Sequence, residues 1–216
     1  MSDPFITVIT AAFRLEGLKN VIKDLDSQTY QKFHHLIIND NQEDIRNWAK
    51  NYKGFGRKRF FIDLQVRTHW FGAICRNIGV VTSFSYIKPK YLDYDNLWIA
   101  FFDDDNRWKP HHLETFVSEI KKNPELVLLG VDAELRGKKD KSYRHIRKLA
   151  FAPQNVDLGQ LLYKRSLFDK YGLFQPSPRY RITYDWELIK KIHSGEDKKK
   201  IKIIHSPTFI YYHRRR

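Results

Sequence analysis

From Trp98 to Phe102 the chain sets down five residues, four of them large and apolar, and then runs straight into Asp103, Asp104 and Asp105, followed by Asn106. An apolar run of that length, rich in aromatics, reads as a strand buried on both faces. The carboxylates then fall where the strand leaves the sheet, and in open α/β sheets that edge is where ligands bind. Three adjacent carboxylates repel one another, so the stretch reads as a cation-binding acidic loop facing a phosphorylated ligand. A solvated acidic turn is the plainer alternative.

The rest of the chain supplies the sheet that such a strand needs. Phe5–Thr10 is a β-branched run and reads as a first strand. Leu18, Val21, Ile22 and Leu25 follow at helical spacing, which predicts an amphipathic helix over Glu16–Gln28. Phe33–Ile38 reads as a second strand ending at Asn39-Asp40, Glu43–Tyr52 as a helix, and Phe60–Val66 as a third strand. Trp70–Phe84 reads as a helix despite Gly72 and Gly79, and Lys88–Asn96 as a loop before the central strand.

Pro110 suits the first turn of a helix carried by Leu113, Phe116, Val117 and Ile120. Leu126–Gly130 and Gln160–Tyr163 read as further strands, Ser166 as a helix cap, and Asp185–His193 as a short helix. Two short tail strands are expected at Ile201–Ile204 and Phe209–Tyr212. No repeat and no linker composition interrupts the 216 residues, so residues 1–216 read as one α/β domain with a largely parallel sheet flanked by helices.

The net charge of +14 points to a polyanionic partner. Much of it is local: Arg136–Lys148 holds seven Lys and Arg against one acid and reads as a long solvated loop, with further clusters at Lys198–Lys202 and Arg214–Arg216. No apolar stretch is long enough for a membrane helix, and the N-terminus lacks a basic region and cleavage site, which leads to the expectation of a cytoplasmic protein. The single Cys75 reads as a small buried side chain. No G-x-G-x-x-G follows the first strand and no G-x-x-x-x-G-K-[ST] occurs, which argues against a dinucleotide site or a P-loop. What remains is carboxylates at strand ends, Asp40 and Asp103 to Asp105, a donor set for a hard divalent cation that shares a substrate's phosphates.

Several stretches in order now resemble family 2 glycosyltransferases of the GT-A fold. ITVITAAFR (6–14) and SQTYQKFHHLIINDN (27–41) resemble the family's first strand and nucleobase-binding acidic turn. CRNIG (75–79) resembles its Ala-Arg-Asn-x-Gly helix, and WIAFFDDDNRWKPHHLE (98–114) its metal-binding D-x-D segment. LLYKRSLFDKYGLF (161–174) and YDWELIKKI (184–192) resemble the acceptor-side strand and the segment with the catalytic base. The resemblance implies a Rossmann-like sheet, a nucleotide-sugar-binding half over 1–110 and an acceptor-binding half with the tail over 111–216.

It also implies roles. Asp40, with Thr10 and Ala11 at the first strand's end, would contact the base, most typically uracil. Arg76 would lie near the acidic turn and the phosphates, with Asn77 structural. Asp103 would contact ribose or the metal-bound diphosphate and join the metal's ligands, and Asp105 would ligate the metal. Asp104 would belong to the same donor-binding loop as its variable middle position, whose loss should matter least. His213 in YYHRRR resembles the residue that closes over the diphosphate and metal, against the alternative of an exposed tail histidine. Asp185 would be the general base, against the alternative of a helix cap, with Glu187 a nearby competitor. One base and direct displacement predict inversion.

The implied cofactor is Mn²⁺ or Mg²⁺, the donor a nucleoside-diphosphate sugar, and the acceptor a saccharide or a lipid-linked hydroxyl. The basic loops would then face that acceptor or an anionic membrane at its inner face, and no specific nucleic acid. The chain departs from the family at 10–13, where Thr-Ala-Ala-Phe stands for the usual Pro-Thr-Tyr-Asn. It departs again at Asn39, which replaces the commoner Asp, and at Tyr184, which stands where a Glu usually precedes the catalytic Asp. Two rivals stay open: a sugar nucleotidyltransferase, for which TAAFRLEG is a poor glycine-rich signature, and a non-catalytic basic nucleic-acid-binding module. Trp108 and Trp186 read as packing around the site, with sugar stacking as the alternative. His111 and His112 read as a solvent-facing first turn, with a second metal site as the alternative.

Overall fold

The computed structural model describes residues 3–68, 70, 72–86, 96–137, 142–153, 155–176 and 183–213, with backbone alone at 84–86, 196 and 213. Strands β1 (Phe5–Ala12), β2 (Phe33–Asn39) and β3 (Arg59–Asp63) alternate with helices α1 (Leu15–Asp26), α2 (Glu43–Asn51) and α3 (Ala73–Tyr86), and β4 (Leu97–Phe101) follows. A two-residue β5 (Arg107–Trp108) leads into α4 (His112–Lys122) and then β6 (Leu128–Gly137), β7 (Arg144–Arg147) and β8 (Leu161–Lys164). Helices α5 (Ser166–Tyr171) and α6 (Tyr184–Ser194) precede the long β9 (Ile201–His213).

The described strands form one sheet in the order β3-β2-β1-β4-β8-β6-β9-β5, with β7 on β6. β3, β2, β1 and β4 are all parallel. β8 is antiparallel to both β4 and β6, while β6 and β9 run parallel. The chain moves from β1 outward to β2 and β3 and then returns to the other side of β1 as β4. That reversal is a topological switch point, and it opens a crevice at the carboxyl ends of β1 and β4.

Alternation along β4 shows why this strand is apolar throughout. Ile99 and Phe101 join Ile9, Leu36 and Tyr163 in the core under α3, α5 and α6. Trp98, Ala100 and Phe102 join Ile6, Val8 and Leu162 in the core with α1 and α4. Successive side chains of a strand point to opposite faces, so a strand covered on both must be apolar at every position.

Four expectations need correction. The basic stretch 136–148 is not simply a loop. β6 extends through Gly137 and β7 pairs with it from Ala133↔Arg147 to Arg136↔Arg144, so the described basic residues stand on a two-stranded ribbon. The tail strands are one strand, β9. Between Val131↔Ile204 and Ala133↔Phe209 it spends five steps against two on β6, and this bulge around Pro207 mimics a break in the sequence pattern. Ser166 opens α5 and its cap is Arg165. His112 is fully buried, stacked on Trp108 at 4.2 Å and bonded through Nδ1 to the Thr208 hydroxyl at 2.8 Å, and burial lowers its pKa to about 3. His111 is solvent-facing as expected. Residues 88–95 and 214–216 of the sequence reading lie outside the described residues.

Candidate active site

Because β1, β2 and β4 are parallel, their carboxyl ends bring the β1–α1 turn, Asp40 and the Asp103–Asp105 loop to one edge. α3 lies over this edge, and Gly72 at its start sets how closely. Gly72 has φ +82°, and a Cβ there would meet Arg76 Nη1 at 3.0 Å and the Ala11 Cβ at 3.1 Å. The glycine thus lets the Arg76 guanidinium lie against the end of β1. From that position Arg76, 5% exposed, donates from Nη2 to Asp103 and from Nη1 to the Tyr184 hydroxyl. Burial opposes its charge, but Asp103, with Tyr184 and Asp185 nearby, raises the pKa further still.

The three acids of the loop have three different environments. Asp103 holds Arg76 with a side chain 22% exposed. Asp104 is buried and fully engaged: Oδ2 accepts from the backbone N–H groups of Phe13 and Arg14 at 2.7 Å each, and Oδ1 accepts from Arg14 Nε at 2.8 Å and from Nη2. Against the expectation for the middle position, it is the most heavily bonded of the three, and both oxygens are used within the protein. Asp105 is the most open, 30% exposed, with Arg14 Nη2 at 3.3 Å from its Oδ2.

Carboxylate oxygens at an accessible strand end suit a hard cation. Among the described residues no three His, Cys, Asp or Glu side chains are grouped as a self-sufficient metal cage. A cation held by Asp105 and Asp103 would therefore complete its shell with phosphate oxygens and water, which is the ordinary habit of Mg²⁺ at nucleotide sites.

Asp40 is buried, and its Oδ1 accepts from the Thr68 backbone N–H at 2.7 Å, pinning the segment after β3 over the end of β2. Beneath it, burial and then Asp40 push the Cys75 thiol up to about 12, in line with an inert core residue. Thr10 is fully buried, and its hydroxyl shares a 3.0 Å hydrogen bond with His35 Nε2; Ala11 is buried at the same strand end. Asn77 pairs with the backbone of Phe174 in both directions, at 2.8 and 3.0 Å. His213 ends β9 opposite Gly137, and its side chain lies outside the described residues.

Asp185 lies in the first turn of α6, one position inside the helix start, and the cap position belongs to Thr183. Its Oδ1 accepts from the Trp186 N–H at 2.7 Å. Burial raises its pKa above the ordinary carboxylate value, although Trp186 N–H and Arg76 act the other way. Asp185 and Trp186 line a groove with Ala152, Pro153, Val156 and Ile189. Trp186 is only half-buried, whereas Trp108 is core, stacked on Phe102 at 4.0 Å and bonded to the Gly159 carbonyl.

Four residues escaped the sequence reading in these roles. Arg14 is tied to the acidic loop. Tyr184, where the resemblance implies a Glu, links α6 to Arg76. Asp157 caps the short 3₁₀ turn Leu158–Gln160, accepting from Gly159 N–H at 2.9 Å. Burial, and then Asp103 and Asp105, raise its pKa to about 7. Tyr163 is fully buried in reach of Asp185, Arg76 and Asp157, and its hydroxyl has no partner among the described residues. Of these, only Asp157 carried a local signal, an Asp three residues before a Gln, which resembles a capping box.

A family model described as glycosyl transferase family 2 matches residues 7–177. No curated protein matches the chain. Among solved structures, S. aureus TarS 1–349 in complex with UDP superimposes with a TM-score of 0.68 at 11% identity, over 97% of this chain and 60% of that one. The larger TarS structure gives 0.70 at 10% identity, over 97% of this chain and 37% of that one. The mannosyltransferase PcManGT from Pyrobaculum calidifontis, in complex with GDP-Man and Mn²⁺, gives 0.63 at 15% identity, over 98% and 57%. The chain thus spans about 60% of the shorter TarS chain and of PcManGT, and at these identities the likeness concerns the GT-A fold.

Proposed function

Since the chain belongs to glycosyltransferase family 2, we propose that it moves a sugar from a nucleoside-diphosphate donor, a UDP-sugar in the first place, to a hydroxyl acceptor in polysaccharide or glycoconjugate synthesis, with inversion. The observation that carries this reading is the link from Asp103 through Arg76 to Tyr184, which joins the acidic loop to the helix bearing Asp185. UDP, UDP-GlcNAc and GDP-Man in the related structures support the donor class, and Mn²⁺ in one of them supports a divalent cation.

In this reading residues 1–110 hold the donor. Asp40 faces the base, with Thr10 and Ala11 forming the strand end behind it. Asp105 and Asp103 hold Mn²⁺ or Mg²⁺, with His213 assigned as a further ligand, and Asp104 keeps their loop in place. When bound, the cation neutralises charge developing on the leaving nucleoside diphosphate. Residues 111–216 hold the acceptor. Asp185 takes the proton from the acceptor hydroxyl as that oxygen attacks the anomeric carbon. A single base on one side of the sugar and the leaving group on the other give inversion. Trp186, beside Asp185, offers the acceptor ring a stacking face.

The acceptor is a saccharide or a lipid-linked hydroxyl. Arg144, His145 and Lys148 on and beside β7 are exposed, with Ile146 between them 45% exposed. This ribbon suits peripheral contact with an anionic membrane, at its cytoplasmic face. No described helix is long and apolar enough to cross a membrane. Thermal shift against UDP, GDP and their sugars with and without Mn²⁺ tests the donor class, because a bound donor stabilises the fold by mass action. Transfer or donor hydrolysis at full rate by folded Asp105→Ala or Asp185→Ala would overturn the assignments. Co-sedimentation with vesicles tests the ribbon: equal pelleting with neutral and anionic lipid would count against it.

A further inference from the structure

Arg14 has two bonds of unequal kind to the acidic loop. The first is to Asp104, through the backbone N–H at 2.7 Å, Nε at 2.8 Å and Nη2. This anchor is buried, for the Asp104 side chain is 1% exposed. It is also sterically fixed: a Cβ on Gly17 in the first turn of α1 would lie 1.9 Å from the Asp104 carbonyl oxygen. The second is an ion pair with Asp105, at 3.3 Å between side chains 44% and 30% exposed. Exposed pairs of this sort are weak and readily exchanged. A guanidinium has five donors, and among the described residues Arg14 Nη1 makes no hydrogen bond.

We propose that Arg14 is a positioning residue for metal and donor: without metal it neutralises Asp105, and when a divalent cation takes that carboxylate the guanidinium, still anchored on Asp104, turns its free edge to the donor diphosphate. The inference rests on the function proposed above. A cation beside the Asp105 carboxylate competes with the metal for it, so Arg14 disfavours binding of metal alone. The same charge beside a diphosphate favours the donor, since planar guanidinium donors match phosphate oxygens. Together the two effects couple metal binding to nucleotide binding.

The test compares wild type with Arg14→Gln and Arg14→Lys, using calorimetry or Mn²⁺ paramagnetic resonance for the metal alone, and calorimetry for UDP and GDP in saturating Mn²⁺. Arg14→Gln should bind Mn²⁺ alone about three- to fivefold tighter, the equivalent of removing an exposed ion pair. It should bind the nucleotide about tenfold more weakly, the loss of a charge-assisted contact. Arg14→Lys should recover part of both. A merely structural role would weaken both affinities together with the unfolding temperature, and that result, or no change in either, would overturn the inference. Failure of wild type to bind Mn²⁺ even with UDP or GDP present would overturn the function reading as well, whereas unchanged affinity for Mn²⁺ alone in Arg14→Gln would overturn this inference alone.

Discussion

The guanidinium of Arg76 donates to the Asp103 carboxylate, joining α3 to the end of β4 across 27 positions of sequence. With its other nitrogen on the Tyr184 hydroxyl, it makes one polar connection from the acidic loop to α6. The resemblance to the family implies a Glu at the Tyr184 position. Here a phenol, raised to about 12 by burial despite Arg76, accepts the same donor as a neutral group.

Arg76→Met should therefore destabilise the fold and the site together. It leaves Asp103 and the Tyr184 hydroxyl without their shared donor, and breaking a buried pair costs about 3–5 kcal/mol. Asp103 is partly exposed, so the lower end is expected, with a fall of roughly 6–12 °C in unfolding temperature for a chain of this size. Arg76→Lys keeps the charge but cannot reach both partners, and should fall between. Chemical denaturation of the single variants and of Arg76→Met with Asp103→Asn checks this: the double variant should lose less than the sum.

How much of this was readable from residues alone depends on the range of the interactions. The buried β4 and its acidic end were legible because an apolar run meeting carboxylates is a local pattern. Helices α1 and α4 were legible from their spacing. The antiparallel β8 between β4 and β6 was not, because strand partners leave no mark on either strand. The basic ribbon was missed because charge obscured the pairing of β7, and β9 was split because its bulge and Pro207 imitate a turn. At the site, Asp40, Asp103, Asp105 and Asp185 were singled out by position and resemblance. The partners that define the acidic loop's environment, Arg14, Arg76 with Tyr184, and Asp157, come from distant segments.

Asp104→Ala should be among the most damaging changes in the loop, although middle positions of such acidic triplets are expected to tolerate change. It removes the acceptor for two backbone N–H groups and for the Arg14 side chain. Since burial pushes the Asp104 pKa up in spite of Arg14, the benefit lies in those bonds more than in net charge. A loss of about 2–4 kcal/mol follows. Asp104→Asn, which keeps one acceptor but turns an amide donor on the guanidinium, should be intermediate. Gly17→Ala should reproduce part of the loss by pushing α1 off the loop. Urea midpoints at constant m-value would measure all three.

Asp157 sets a pH dependence of stability in the absence of metal. Its folded pKa, about 7, lies above the ordinary 3.8, so between these values the folded state holds more protons than the unfolded state. Stability therefore falls as pH rises through that window and levels off above it. Asp157→Asn should flatten this dependence in EDTA, raising the unfolding temperature at pH 8 relative to pH 5 by a few degrees, about 1–2 kcal/mol in free energy. Scans of wild type and variant across pH 4.5–8.5 test it, and a variant as steep as wild type would count against the assignment.

Asp185 should separate chemistry from donor binding. It lines the groove on α6 and is not among the residues proposed to hold the diphosphate, so Asp185→Asn should bind UDP with little change in affinity. Its kcat should fall by about 10²- to 10⁴-fold, the usual worth of a general base. The base works ionised, and burial raises its pKa above 3.8. Lowering the pH must then protonate it earlier than an exposed aspartate, and kcat should decline toward acid with an apparent pKa above the ordinary carboxylate range. Asp185→Glu keeps a base but moves it by one methylene, so it should retain the acid limb at a reduced rate. If the acid limb persists unchanged in Asp185→Asn, another group is the base, and Glu187 one position beyond Trp186 is the first to examine.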